Sequence, residues 1–181
     1  MHPSKPQVFN YCVLTPFSEL LVLREIVSTG LIGEVAAEIR EVFMTYGYPK
    51  LCLIDPIAAT PNPLTGTTIM QEYQSHLPNV ALSSAGKEKA EKQIGIAKTR
   101  EMLAGVDGRP LLRVHDGCKF TIAQAKRWMI DPRTLAPAKD HDDAWENIYR
   151  IVLNLPAFQT AEMAAREQRM MSMSRSSLIP V

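Results

Sequence analysis

The segment VFNYCVLTPFSELLVLREIV, residues 8–27, contains two runs rich in β-branched and aromatic side chains. The runs cover 8–16 and 19–27, and only two residues separate them. Such composition favours extended strands, and so short a connection is typical of a β-hairpin. We therefore predict that the fold opens with two antiparallel strands.

A helix and a further strand are predicted directly after this hairpin. In GEVAAEIREVFMTY, residues 33–46, apolar side chains recur at helical spacing, and Gly47 is placed to end the helix. The run KLCLIDP, residues 50–56, is short and apolar and stops at Asp55 and a proline. This pattern predicts a buried central strand that ends at Asp55.

The rest of the chain, up to Pro156, alternates between helical and strand-like patterns. The further elements predicted in chain order are helix 67–76, strand 79–84, helix 86–104, strand 110–115, helix 119–129 and helix 141–154. A hairpin followed by strands alternating with helices indicates a mixed α/β sheet with helices on its faces. In such sheets functional groups collect at the carboxyl ends of strands, and Asp55 is placed at such an end.

The composition indicates one globular domain with a sizeable core. The chain has 181 residues, of which 46% are hydrophobic and 22% charged, and its formal net charge is +1. Its longest apolar runs fall short of the roughly 20 residues of a membrane span, and its start lacks the layout of a signal peptide, so we predict a cytoplasmic location. Its odd number of cysteines predicts free thiols at Cys12, Cys52 and Cys118.

An acidic cluster lies at the start of the last predicted helix, in AKDHDDAWENIYRIVLNLP at residues 138–156. Asp140, Asp142 and Asp143 lie within four positions, and like charges about 4 Å apart repel by about 1 to 4 kcal/mol. Capping of the helix N-terminus accounts for one aspartate. Solvent and counterions, Lys139 or a divalent metal ion could offset the remaining repulsion, and the residues alone leave these alternatives open.

Asp55 and this cluster are the two acidic points that the folded chain could bring together. Converging carboxylates bind Mg²⁺ or Mn²⁺, because these ions prefer oxygen ligands. A pair of such ions can clamp the attacking and leaving oxygens of a phosphodiester displacement. The alternative is that Asp55 only ends its strand and that the cluster only caps its helix.

Four segments in this order resemble the nuclease domain of tailed-phage large terminase subunits: CLIDP, GKEKAEKQIGIAKTREML, LLRVHDGCKFTIAQAKRWMIDP and PAKDHDDAWENIYRIVL. The resemblance covers about residues 8–156, and its last segment is the most specific. It implies an RNase H-like mixed sheet with helices on both faces, and cleavage of concatemeric double-stranded DNA during genome packaging. It also implies a carboxylate-bound pair of Mg²⁺ or Mn²⁺ ions. The implied partners are the terminase ATPase domain, the portal and the small terminase subunit.

Carried over by position, the resemblance implies catalytic, metal-binding carboxylates at Asp55 and Asp143. Asp140 or Asp142 would assist, with Asp140 as a further metal ligand. Asn147 is a departure, since it lies three residues before Arg150, where many members of the family have an aspartate.

A second departure concerns the opening strand. The family carries a first metal-binding aspartate immediately before a hairpin such as 8–27, whereas this sequence has no acidic residue before Glu19. We therefore expect the domain, residues 1–156, to lack its first strand, as the downstream part of a longer or split product or as a degenerate copy. Glu25 is a candidate to replace the missing ligand, the alternative being a surface charge. Residues 157–181 are expected to form a frayed helix and a disordered tail.

Basic side chains supply candidate contacts to a DNA backbone. Lys87, Lys89 and Lys92 crowd one predicted helix, and Lys139 adjoins the acidic cluster. Phosphate contacts of this kind position a nucleic acid without reading its sequence. The alternative is a solvated helix face or, for Lys139, neutralisation of the aspartates. His141 is a candidate proton relay near neutral pH.

The leading expectation is therefore a Mg²⁺- or Mn²⁺-dependent endonuclease domain of a phage-encoded terminase. It would act on double-stranded DNA in the host cytoplasm, without membrane association. The rival expectation is a non-catalytic module of the same fold that binds DNA or docks on a portal or small terminase subunit. A third interpretation, an α/β domain whose aspartates only cap a helix, predicts that no divalent metal is bound.

Overall fold

The structure is a computed structural model that describes residues 6–85, 89–105, 108–127 and 143–155. The strands are β1 (Gln7–Leu14), β2 (Leu20–Ser28), β3 (Cys52–Ile54), β4 (Leu82–Ser84) and β5 (Leu112–Val114). The helices are α1 (Ile32–Tyr46), α2 (Ile69–His76), α3 (Lys89–Ala104), α4 (Lys119–Arg127) and α5 (Asp143–Leu153), and a short 3-10 helix covers Pro56–Ala59. Every helix and strand predicted before Pro156 is thus found near its predicted position.

The strands of the described residues form two sheets. One has the order β1-β2-β5, with β1 antiparallel to β2 and β2 parallel to β5, and the other is the parallel pair β3-β4. The predicted mixed α/β class is therefore confirmed. The prediction for β3 was less accurate, because this strand is half-buried and lies at the edge of its two-stranded sheet rather than at a buried centre.

The opening hairpin has a wider turn than the two residues that the sequence predicted. The backbone N–H of Thr15 donates to the carbonyl of Glu19 at 2.9 Å, and Ser18 takes a left-handed backbone conformation with φ 62°. At the end of α1, Gly47 has φ 100° and its N–H donates to the carbonyl of Phe43, as the predicted helix end requires.

Side chains of the hairpin alternate between two cores on opposite faces of the sheet. On one face Phe9, Tyr11 and Ile26 pack against Val35 and Phe43 of α1. The second cluster joins the other face to α5, and its buried members are Leu20, Val22, Leu112, Cys118, Trp145, Ile148 and Val152. Helices therefore cover both faces of the three-stranded sheet.

Three further predictions concern properties of the whole chain. Cys12, Cys52 and Cys118 are all free thiols, as predicted. Among the described residues, no helix combines the length and the apolar character that crossing a bilayer requires. The predicted tail, 157–181, lies outside the described residues.

Candidate functional site

Asp55 follows β3 directly and begins the 3-10 helix. Its Oδ1 accepts a hydrogen bond of 2.7 Å from the backbone N–H of Ile57. Pro56 occupies the first helical position, where its missing N–H leaves no donor unsatisfied. The short sequence Asp-Pro thus both stops the strand and holds the carboxylate at its carboxyl end.

The other oxygen of Asp55 is paired with Arg150 of α5. The distance from Arg150 Nη1 to Asp55 Oδ2 is 2.7 Å, and Arg150 Nη2 lies 2.8 Å from Glu146 Oε1. The guanidinium is largely enclosed, at 14% exposure, whereas Asp55 is 44% exposed. Burial on its own lowers the pKa of Arg150, but the hydrogen bond to Asp55 and the charge of Glu146 outweigh it, so that the pKa is raised. Arg150 is therefore a fixed positive charge between two carboxylates.

Glu146 connects this ion pair to α3. Its Oε1 also accepts from the hydroxyl of Tyr149 at 2.7 Å, and Lys92 Nζ lies 3.9 Å away. The same ammonium lies 5.5 Å from the centre of the Tyr149 ring. Lys92, which the sequence placed among the candidate DNA contacts, is thus directed at α5. It tethers α3 to that helix.

The start of α5 is fixed to α4 by two hydrogen bonds. The side-chain oxygen of Gln124 accepts from the backbone N–H of Ala144 at 2.8 Å, and Trp145 Nε1 donates to the carbonyl of Thr121 at 3.1 Å. Gln124 and Thr121 are both buried. A side chain of α4 thus satisfies one of the N–H groups that a helix start leaves unpaired.

Asn147 fixes the same helix to β1. Its Nδ2 donates to the carbonyl of Val8 at 3.0 Å and to Oδ1 of Asn10 at 3.2 Å. Both partners are acceptors, and a carboxylate has no hydrogen to donate to them. The amide at this position therefore has a structural role.

Asp143 is the first residue of α5 and lies on the same side of the helix as Arg150. The two are seven residues apart, so at 3.6 residues per turn they project within about 20° of each other. Arg150, the α5 residue that Asp55 contacts, is about 10.5 Å further along the helix axis than Asp143. The fold thus brings Asp55 to the face of α5 that begins with Asp143. Within the described residues, no three His, Cys, Asp or Glu side chains converge closely enough to hold a metal ion.

Several of the predicted site residues lie outside the described residues. These are Lys87, Lys139, Asp140, His141 and Asp142. Lys89 is the first residue of α3, and only its backbone is described. Their predicted roles therefore remain predictions.

Glu25 has a role that the sequence did not predict. Its carboxylate accepts from the backbone N–H groups of Phe120 and Thr121 at 2.7 and 2.8 Å, and from the Thr121 hydroxyl at 2.8 Å. The Thr121 hydroxyl in turn accepts from Asn10 Nδ2 at 3.0 Å. Glu25 is thus neither a bare surface charge nor directed at Asp55, because it caps the start of α4.

The ionic role of Glu146 and Arg150 was not predicted, although their i, i+4 spacing is a recognisable signal for a pair on one helix. The buried polar contacts of Asn10, Thr121 and Gln124 were not predicted either. Asn10 lies in β1 and the other two lie in α4, more than a hundred positions later, so no local sequence pattern relates them.

No protein-family model, curated protein or solved structure matches the chain.

Proposed function

We propose that this chain is a Mg²⁺- or Mn²⁺-dependent endonuclease domain of the terminase type, with an RNase H-like fold, that acts on double-stranded DNA. The observation that carries the proposal is the position of Asp55, at the carboxyl end of β3 and in contact with Arg150, about two turns beyond Asp143 on the same side of α5. Carboxylates from a strand end and a helix start are the oxygen donors that these ions prefer.

The donor set is compatible with a metal ion, although Asp55 is already engaged. An ionised carboxylate accepts at about four lone-pair positions. Asp55 uses one contact on each oxygen, to Ile57 and to Arg150. Asp55 and Asp143, with Asp140 or Asp142, would hold the ions, which would supply an activated water and stabilise the leaving oxygen.

The residues of the chain have roles of their own in this proposal. Arg150 holds the Asp55 carboxylate in one orientation, since both Asp55 and Glu146 contact its guanidinium. Lys139 and the lysines at the start of α3, Lys87 and Lys89, would contact the phosphate backbone and position it without reading the bases. The terminase ATPase domain, the portal and the small terminase subunit would be the partners.

The same ion pair also favours a second candidate function, a non-catalytic module that binds DNA or docks on the portal or small subunit. Arg150 neutralises Asp55, and a positive charge 2.7 Å from a carboxylate opposes the approach of a divalent cation. In this alternative Asp55 serves only to join β3 to α5.

Calorimetric titration with Mn²⁺, combined with plasmid nicking in the same samples, separates the two functions. The variants are Asp55→Asn and Asp143→Asn, and the matched control is Asp116→Asn, whose side chain is 96% exposed in the turn after β5. The endonuclease predicts binding and nicking that both variants lose and the control keeps. If the wild-type chain and the Asp116→Asn control bind Mn²⁺ equally but neither nicks the plasmid, the result favours the non-catalytic module. If no Mn²⁺ binds, the metal-dependent endonuclease is wrong and the aspartates are structural.

A further inference from the structure

An exposed aromatic surface lies where α1 ends and leads into β3. Its segment is REVFMTYGYPKL, residues 40–51. Within it Tyr46 is 47% exposed, Tyr48 is 54% exposed, and Met44 and Leu51 are exposed as well. Single exposed apolar side chains are ordinary on a protein surface, whereas a group of them indicates a binding site.

Both exposed tyrosine rings are held against buried rings. The ring centre of Tyr46 is 5.5 Å from that of Tyr11, and the ring centre of Tyr48 is 5.7 Å from that of Phe43. Tyr11 and Phe43 are buried, so they cover the inner side of each outer ring. The Tyr11 hydroxyl also donates to the carbonyls of Tyr46 and Gly47, which fixes the backbone between the two exposed rings. The rings are therefore rigid platforms whose outer sides face solvent.

Tyr48 also forms one wall of an open cleft of about 190 Å³. The other walls include Arg40, Leu77 and Pro78. Pockets for complete small molecules measure about 300–1,000 Å³, so this cleft fits one ring or side chain rather than a cofactor. Arg40 donates through Nη1 to the carbonyl of His76 at 2.8 Å, and its remaining N–H groups have no partner among the described residues. They are available to an anionic ligand at the rim of the cleft.

Basic groups flank the two rings. Arg40 shares the cleft with Tyr48, and Lys50 follows Tyr48 by two residues, within about 7 Å along the backbone. Against these two cations, residues 40–51 contain one carboxylate, that of Glu41.

This combination of rings and cations matches the chemistry of an unpaired nucleic acid strand. Aromatic rings stack on bases while cations contact phosphates, and neither contact depends on the base sequence. In a duplex the faces of the bases are covered by their neighbours, so platforms of this kind select a single strand. Lysine is depleted at the centre of protein–protein interfaces, and Lys50 therefore favours a nucleic acid over a protein partner.

We propose that the tyrosine surface, formed by Arg40, Tyr46, Tyr48 and Lys50, binds single-stranded nucleic acid. Bases stack on the two rings, and the phosphates between them contact the two cations. The surface precedes β3, whereas Asp55 follows it, so the two sites lie at opposite ends of this strand. The inference does not rest on metal binding or on cleavage at Asp55.

Fluorescence anisotropy with a labelled oligothymidylate of about ten nucleotides tests the proposal on the full chain. The buffer contains EDTA, so that metal-dependent binding does not contribute. An abasic strand of the same length is the matched ligand, because it keeps the phosphates and lacks the bases. The variants are Tyr46→Ala and Tyr48→Ala, with Tyr48→Phe to retain the ring. Phe17→Ala is the control, because Phe17 is 79% exposed in the turn between β1 and β2.

We expect the wild-type chain to bind oligothymidylate at least about fivefold more tightly than the abasic strand, because stacking of one base contributes that much. Each alanine variant should bind oligothymidylate about fivefold more weakly than the wild-type chain or worse. Tyr48→Phe and Phe17→Ala should keep the wild-type affinity.

Equal affinity of the wild-type chain for the two strands, or no binding to either, would overturn the proposal. An equal loss in Phe17→Ala and Tyr48→Ala would do the same. Sedimentation of the wild-type chain distinguishes another occupant: a dimer that Tyr48→Ala dissociates and oligothymidylate does not would assign the surface to a second copy and contradict the proposal. Because the strand comparison uses the wild-type chain without divalent ions, its result is independent of whether the proposed endonuclease is correct.

Discussion

Arg150 joins α5 to the end of β3 through an ion pair with Asp55, in which Nη1 and Oδ2 are 2.7 Å apart. The same guanidinium contacts Glu146 one turn earlier on its own helix. The strand end, the helix and, through Lys92, α3 are therefore held by a single group of charges. This arrangement decides the orientation of the acid on which the proposed function depends.

Replacing Arg150 should lower the free energy of unfolding more than replacing an exposed arginine. Arg150→Met removes the charge and leaves two carboxylates facing each other, so we expect a loss of about 1–3 kcal/mol in the free energy of unfolding. The matched control is Arg113→Met, whose pair with Glu19 is more exposed and should contribute under about 1 kcal/mol. Urea denaturation of both variants measures the difference, and equal losses would show that the Arg150 pair has no special weight.

The same variant makes a prediction about metal binding. If Asp55 is a metal ligand, Arg150→Met removes the cation that competes for it, so the affinity for Mn²⁺ should rise in calorimetric titration. If Asp55 is only structural, Mn²⁺ binding should not change in this variant.

Asn147→Asp should destabilise the protein. The carboxylate would face the carbonyl of Val8 and the side-chain oxygen of Asn10 without a proton to donate. We expect a loss of about 1–3 kcal/mol, measured by urea denaturation. Asn154→Asp is the control, because Asn154 is exposed and its side chain donates to the carbonyl of Arg150 on the same helix. A neutral effect of Asn147→Asp, or a loss no larger than that of the control, would show that the donated bonds are unimportant.

Gly95→Ala should be destabilising, although alanine is the better helix former. A Cβ at this position of α3 would lie 2.9 Å from the carbonyl oxygen of Tyr149 on α5. Helix propensity alone would stabilise by about 1 kcal/mol, whereas overpacking costs typically 1–3 kcal/mol. We expect a lower melting temperature for Gly95→Ala and an unchanged or slightly higher one for Gln93→Ala, at an exposed position of the same helix. A higher melting temperature for Gly95→Ala would mean that the two helices are not so close.

Alkaline pH should destabilise the protein through its thiols. Burial, together with Cys118, raises the pKa of Cys12 to about 12, and burial raises that of Cys52 to about 11, from an ordinary value of 9.0. Because the unfolded chain releases these protons first, the stabilising contribution is complete below pH 9 and is lost as the pH rises from 9 toward 11–12. Thermal melting between pH 8 and 11 should show this decline, and the double variant Cys12→Ala and Cys52→Ala should show a shallower one. A slope that the double variant leaves unchanged would assign the decline to other groups.

Local patterns were sufficient to predict the secondary structure. Helix α1 was expected over 33–46 and is found at Ile32–Tyr46, because its apolar spacing and the glycine that ends it are encoded within one segment. The hairpin strands were predicted for the same reason. The length of the hairpin turn was not predicted correctly, because the backbone hydrogen bond from Thr15 to Glu19 extends the connection beyond Phe17 and Ser18.

The candidate site could be predicted only in part. Asp55 was expected at a strand end and is there, and it does lie against the helix that follows the acidic cluster. The partner it contacts, Arg150, was not expected, because Arg150 reaches it only through the way α5 packs across the sheet. Likewise, the i, i+4 spacing of Glu146 and Arg150 indicates an ion pair on one helix, but it does not indicate that Asp55 also pairs with Arg150.

The sequence by itself determined the order of the helices and strands, the mixed α/β class and the free cysteines, since these depend on residue type and short-range spacing. Only the tertiary structure decided that Glu25 caps α4, that Asn147 holds α5 to β1 and that Asp55 is paired with Arg150. Each of these bonds joins residues 95 to 139 positions apart. Side chains so distant in the chain meet only when helices pack on a sheet, and the buried apolar surface of both cores, rather than any local motif, drives that packing.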